Sequence, residues 1–102
     1  MNYGFVRVGA FTPKIKVADI QANTAEIKKL IDQAEKEHTA LAVFPELCIT
    51  GYTCGDLFLQ SRLLNSSREA LEELAEYTGD KSVTAVVGLP FCHEGKLYNV
   101  AA

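Results

Sequence analysis

Unbroken apolar runs alternate along this chain with stretches of helical spacing, and the alternation predicts the elements. Phe5 to Phe11 (FVRVGAF) is dominated by apolar residues and reads as a first strand, followed by a connecting loop from Pro13 to Val17. From about Asp19 to Glu37 the residues Ile20, Ile27, Leu30, Ile31 and Ala34 recur at helical spacing. Two starts compete for this helix: Asp19 as N-cap, or Asn23 with Glu26 three residues later in the manner of a capping box. Lys28, Lys29, Glu35, Lys36 and Glu37 read as its solvated face. Ala40 to Phe44 is wholly apolar and predicts a second strand covered on both faces. Strand, helix and strand form a βαβ unit, which favours parallel pairing with a right-handed crossover.

Beyond it, Leu59, Leu63, Ala70, Leu71 and Leu74 mark a second helix between about Leu57 and Thr78, irregular near Asn65-Ser66-Ser67, with Gly79 as its C-cap. Val83 to Leu89 (VTAVVGL) reads as a third strand, and Pro90 to His93 as a lead into a turn at Glu94-Gly95. Lys96 to Ala102 reads as a fourth strand. The fold class is therefore α/β, in the order strand, helix, strand, helix, strand, strand.

The second strand ends in a chemically suggestive way. Pro45 holds Phe44 extended and cannot continue the hydrogen-bond ladder, so the strand stops there. Glu46 then sits at the rim of a rigid sheet, where a carboxylate is partly desolvated and still reaches a ligand. That is a good position for a general base. The plainer reading is a solvated loop carboxylate, or one that caps the helix after Asp56.

Bulk properties narrow the classes. At 102 residues the chain supports one modest core and no more than one domain. A net charge of -3 invites neither nucleic acid nor an anionic membrane surface. Met1-Asn2-Tyr3-Gly4 lacks a signal-peptide pattern, and no apolar run is long enough to span a bilayer, so a cytoplasmic protein is expected. Cys48, Cys54 and Cys92 are odd in number and irregular in spacing, which argues against a disulfide framework. Together with His38 and His93 they form no metal-ligand spacing, so no metal is expected. The last residues, Leu97 to Ala102, stop inside an apolar strand pattern, from which a fragment of a longer polypeptide is expected.

Phe44-Pro45-Glu46-Leu47, a two-residue spacer, then Thr50-Gly51-Tyr52 resembles the first catalytic motif of the carbon-nitrogen hydrolase (nitrilase) superfamily. The continuation Thr53-Cys54-Gly55-Asp56-Leu57-Phe58 narrows the resemblance to the glutaminase domains of glutamine-dependent NAD synthetases. The resemblance covers the entire chain but only the opening part of that domain. It implies an α-β-β-α sandwich, two sheets face to face with helices outside. It also implies amide hydrolysis through a cysteine thioester, with Glu46 as the base and a lysine stabilising the oxyanion. The family's lysine and cysteine come later than residue 102, so one member of the triad is present here. Cys48 and Cys54 do not align with the nucleophile, and Lys96 falls ahead of the family's lysine and reads as an exposed turn residue.

Tyr52 is the substrate-binding candidate, lining a pocket for the glutamine side chain or the ammonia exit; equally, its ring packs the loop onto the core. Asp56 is read as the cap of the second helix, and Thr50 and Gly51 as shaping the turn. Tyr98-Asn99 echoes a pair common in the family, with a structural hydrogen bond as its expected role. The implied partners are glutamine, a synthetase domain of the same polypeptide, and further copies of the chain in a homo-oligomer. ATP and magnesium are assigned to that synthetase domain, where nicotinic acid adenine dinucleotide becomes NAD, and no cofactor to this chain. Two rival readings stand beside this one: another carbon-nitrogen hydrolase such as an amidase or carbamoylase, and a non-catalytic α/β module in which Glu46 is an ordinary loop residue.

Overall fold

A computed structural model describes residues 4–51 and 61–102. Its elements are β1 (Val8–Ala10), α1 (Ile20–Lys36), β2 (Leu41–Val43), α2 (Ser61–Tyr77), β3 (Thr84–Val86), β4 (Gly88–His93) and β5 (Lys96–Ala101). Strands β1, β2 and β3 lie side by side in that order, all parallel, with Val8, Leu41 and Thr84 in register. The parallel pairing expected of the βαβ unit is therefore present.

Helix α1 starts where the first of its two candidate caps predicts. The Asp19 carboxylate accepts from the Ala22 N–H at 3.1 Å, satisfying one of the free donors of the first turn. Asn23 is a fully buried residue within the helix and serves another purpose, taken up below. Leu63, Ser67, Ala70 and Leu74 form the buried stripe of α2. This helix runs unbroken through Asn65-Ser66-Ser67, against the expected irregularity, because Ser67 faces inward and keeps the apolar stripe in phase. Its predicted start near Leu57 and the Asp56 cap lie outside the described residues. Gly79 is not a left-handed cap; only Gly4, Gly51 and Gly95 among the described glycines have positive φ. The Thr78 hydroxyl instead donates to the Leu74 carbonyl at 3.0 Å at that end.

Ile27, Ile31 and Ala34 of α1 and Ala70 and Leu74 of α2 enter one core with Ala42, Phe44 and Val87. On the other face of the sheet, Val8 of β1 and Val43 of β2 are exposed. The expectation that β2 is covered on both faces therefore holds only for its helix side in this chain.

The run from Val83 to Leu89 is two strands, not one. Phe44 N–H still donates to the Val86 carbonyl at 2.9 Å, but Val87 exchanges backbone bonds with Ala102 at 2.9 and 2.8 Å. From Val87 onward the chain belongs to an antiparallel pair, β4 with β5. Pro90 to His93, read above as a lead into the turn, lies inside β4; Pro90 pairs with Asn99 at the edge of a two-stranded sheet, where its missing N–H is tolerated. The turn at Glu94-Gly95 is as expected. Both residues have positive φ, at 51° and 76°, and His93 pairs with Lys96 across a two-residue loop of the type that matches strand twist.

Candidate active site

Glu46 follows β2 at its carboxyl end, the end at which open α/β sheets bind ligands. Pro45 ends the strand as its ring requires, and residues 46–50 form a compact turn. Cys48 N–H donates to the Pro45 carbonyl at 3.2 Å, and Gly51 N–H to the Leu47 carbonyl at 2.7 Å. Leu47 holds a φ of 51°, a left-handed conformation that costs a side-chain-bearing residue on the order of 1 kcal/mol.

Two contacts hold this turn in place. On one side it lies against Gly88, the first residue of β4. A Cβ there would meet the Leu47 nitrogen, the Pro45 oxygen at 2.9 Å and the Glu46 carbonyl carbon at 3.0 Å, all of them backbone. Ile49 N–H donates to the Gly88 carbonyl at 3.2 Å, and the Gly88 N–H reaches the Cys48 Sγ at 3.5 Å. On the other side Asn23 clamps two loops together. Its side-chain amide donates to the carbonyls of Lys16 and Ile49, both at 2.8 Å, and accepts from the Lys16 N–H at 2.7 Å. Ala18 N–H adds a bond to the Thr50 carbonyl at 2.8 Å.

The Glu46 side chain turns toward the hairpin, where its Oε1 accepts from the Asn99 side-chain amide of β5. Both residues line a cleft of about 350 Å³ with Val43, Val86, Val100 and Ala101. Its walls are apolar, with one carboxylate and one amide at the rim. The carboxylate is exposed, where its rim position predicts partial desolvation, because these neighbours are short apolar side chains that do not cover it. A larger cleft of about 490 Å³ between α1 and α2 is lined by residues such as Asp19, Arg62, Glu69 and Glu73 and lies away from Glu46. The smaller cleft is the one that holds Glu46 and Asn99.

Of the other residues singled out in the sequence, Tyr52 and Cys54 lie outside the described residues. Cys48 is buried, and burial pushes its thiol pKa up, which disfavours the thiolate a nucleophile needs. Lys96 opens β5 as an exposed residue. Asn99 makes a side-chain hydrogen bond, as its family pattern implies, and its partner is Glu46. Gly88 and Asn23 escaped the sequence reading. A glycine inside an apolar strand run signals close backbone approach, so Gly88 had a legible mark. Asn23 had none, since Asn at a helix start is equally a cap.

Known proteins resemble this chain along most of its length. Residues 7–102 match the carbon-nitrogen hydrolase family. The glutamine-dependent NAD(+) synthetase of Mycobacterium tuberculosis is 38% identical over 100 residues, covering 98% of this chain and 15% of the relative. That of Aquifex aeolicus is 38% identical over 87 residues, covering 84% of this chain and 15% of the relative. The chain thus spans about 15% of the length of these curated relatives. Among solved structures, a glutamine-dependent NAD(+) synthetase from Cytophaga hutchinsonii superposes with a TM-score of 0.88 at 31% identity, over 94% of this chain and 16% of the other. An amidase from Nesterenkonia sp. shares the fold, with a TM-score of 0.70 at 22% identity over 83% of this chain and 32% of the other. The fold is the mixed α/β type of the nitrilases, with two helices against a parallel sheet. Matched along nearly its whole length, the chain belongs to the carbon-nitrogen hydrolase family.

Proposed function

We propose that residues 1–102 form the opening part of a glutaminase domain, and that Glu46 is its general base. The observation that carries this is the placement of the Phe-Pro-Glu carboxylate. It stands at the carboxyl end of a parallel strand, on a turn held from two sides, at the rim of an apolar cleft. Rigid placement of a base is what proton transfer in a transition state rewards.

In this reading Glu46 takes the proton of a cysteine thiol supplied by chain beyond residue 102. The thiolate attacks the glutamine amide carbon, and a lysine, also from beyond residue 102, holds the oxyanion. Glu46 returns the proton to the leaving nitrogen, ammonia departs, and a thioester remains. Glu46 next takes a proton from water, whose hydroxide attacks the thioester carbon. Glutamate leaves as the thiolate recovers its proton from Glu46. The ammonia passes to a synthetase domain of the same polypeptide for the ATP-dependent amidation of nicotinic acid adenine dinucleotide. ATP and magnesium belong to that domain, and residues 1–102 bind neither. Tyr52 contributes to the glutamine pocket.

Glu46→Gln in the full-length protein tests the proposal. Gln keeps the shape but cannot accept a proton, so glutamine-driven NAD synthesis should fall by several orders of magnitude while ammonia-driven synthesis survives. Equal loss with both nitrogen sources would assign Glu46 to folding or domain coupling, and unchanged glutamine use would remove it from the chemistry.

A further inference from the structure

We infer that the β4–β5 hairpin is the seat of the general base, with Asn99 and Gly88 as positioning residues for Glu46; the inference rests on the base reading above. Two independent observations point to it. The first concerns the backbone. At residue 88 a side chain would strike Pro45, Glu46 and Leu47 through main-chain atoms, which cannot rotate out of the way. Gly88 therefore sets how closely the Glu46 turn approaches the sheet, and the Ile49 N–H to Gly88 carbonyl bond holds the two together at that separation. The second concerns the side chain. A freely rotating carboxylate would sample several rotamers, and the Asn99 amide selects one by donating to Oε1.

The choice of Asn suits the task. An amide is a neutral donor, so it orients the carboxylate without forming an ion pair that would hold it back from a proton. It engages one of the two carboxylate oxygens, Oε1. A lysine in the same place would compete for the charge, and an aspartate would repel it. The hairpin is also suited to be a seat. Its register is set by the tight turn at Glu94-Gly95 and continues past β4 to the Val87–Ala102 pair, which fixes Asn99 opposite Pro90. Asn99 itself is exposed and packs no core, so its side chain is free to serve Glu46.

The test uses the full-length protein with glutamine or ammonia as nitrogen source. Asn99→Ala should lower the glutamine-driven kcat about 100-fold, the order of loss that misplacement of a reacting group brings. The glutamine KM should move by a much smaller factor, and ammonia-driven synthesis should be unchanged. Asn99→Asp, which keeps the shape and reverses the donor, should lose at least as much; Asn99→Gln, which keeps the amide, should recover part of the activity. Gly88→Ala should lower the same kcat in the same selective way. An unaltered glutamine-driven kcat in Asn99→Ala and Asn99→Asp would overturn the inference while leaving Glu46 as the base. So would equal losses with both nitrogen sources, which would make the hairpin a folding element. If Glu46→Gln itself keeps full glutamine use, the base reading fails and the seat fails with it.

Discussion

Asn23 shows how one buried amide serves a site it never touches. Its three bonds tie the loop before α1 to Ile49, three residues after Glu46. Asn23→Ala would leave the Lys16 N–H and two carbonyls without that partner, at a cost of about 2–4 kcal/mol in unfolding free energy. Urea titration of the variant against the parent measures this directly. Thr24, its neighbour, is the opposite case. The Thr24 and Ser67 hydroxyls are buried with no hydrogen-bond partner among the described residues. Replacing an unpaired buried hydroxyl by an apolar group removes a desolvation penalty, so Thr24→Val should stabilise by about 1 kcal/mol. A lower urea midpoint for Thr24→Val would show that its hydroxyl is satisfied in solution.

At the scale of elements, the two helices are joined by polar contacts that the charge pattern alone conceals. Lys28 and Glu35, both read as solvated, each face a partner. Lys28 pairs with Glu73 of α2 at 3.3 Å. Glu35 accepts from the Ser82 hydroxyl at 2.6 Å and from the Ser82 and Val83 N–H groups at 3.2 and 3.1 Å, anchoring the entry to β3. Tyr77 donates to Asp32, with both carboxylate oxygens at 2.7 Å, under the Lys81 ammonium 4.6 Å from its ring. The Ser82 hydroxyl bond, with the two backbone bonds, holds the Glu35 carboxyl below its usual range, and the Asp32 bond raises the Tyr77 phenol. The signs follow by linkage. Glu35 stabilises the fold above the ordinary glutamate pKa of about 4.3, and that contribution disappears as pH falls through its lowered folded value. Tyr77 contributes below about pH 10 and loses its contribution as pH rises through its raised value. Unfolding midpoints measured against pH should therefore fall at both ends, with the acid limb flattened in Glu35→Gln and the alkaline limb in Tyr77→Phe. An acid limb unchanged in Glu35→Gln would show that the Ser82 contact is not formed in solution.

For the molecule as a whole, the consequence of having one helix-covered sheet face is an apolar face left open. Val8 is 62% exposed and Val43 41% exposed, in adjacent strands of the parallel sheet. Exposed apolar surface of this kind drives association. The 102-residue chain on its own should self-associate through this face in sedimentation across a concentration series, with binding of an apolar dye, and Val43→Thr should weaken both. A monodisperse monomer without dye signal would show that the face is covered in solution. The same chain should release no ammonia from glutamine, since in the proposed mechanism Glu46 acts on a thiol it does not contain. Release that saturates with glutamine and vanishes in Glu46→Gln would overturn that assignment.

Local chemistry alone was sufficient for α1, for the end of β2 before Pro45 and for the Glu94-Gly95 turn. Each depends on neighbours within a few residues: a cap, a ring that blocks the ladder, a pair able to hold positive φ. The Phe-Pro-Glu and Thr-Gly-Tyr words were legible for the same reason. What tertiary structure decided was every outcome that depends on a distant partner. Val83 to Leu89 divides between two sheets because Val87 finds Ala102 and Gly88 meets the Glu46 turn, neither of which local periodicity can express. Glu35 becomes an anchor only because Ser82 is brought to it from 47 residues away. Asn99 becomes a candidate partner of the base because a hairpin folds back across 53 residues of chain. Hydrogen bonds and close backbone contacts reach only a few ångströms, so their partners are set by the path of the fold and not by spacing along the sequence.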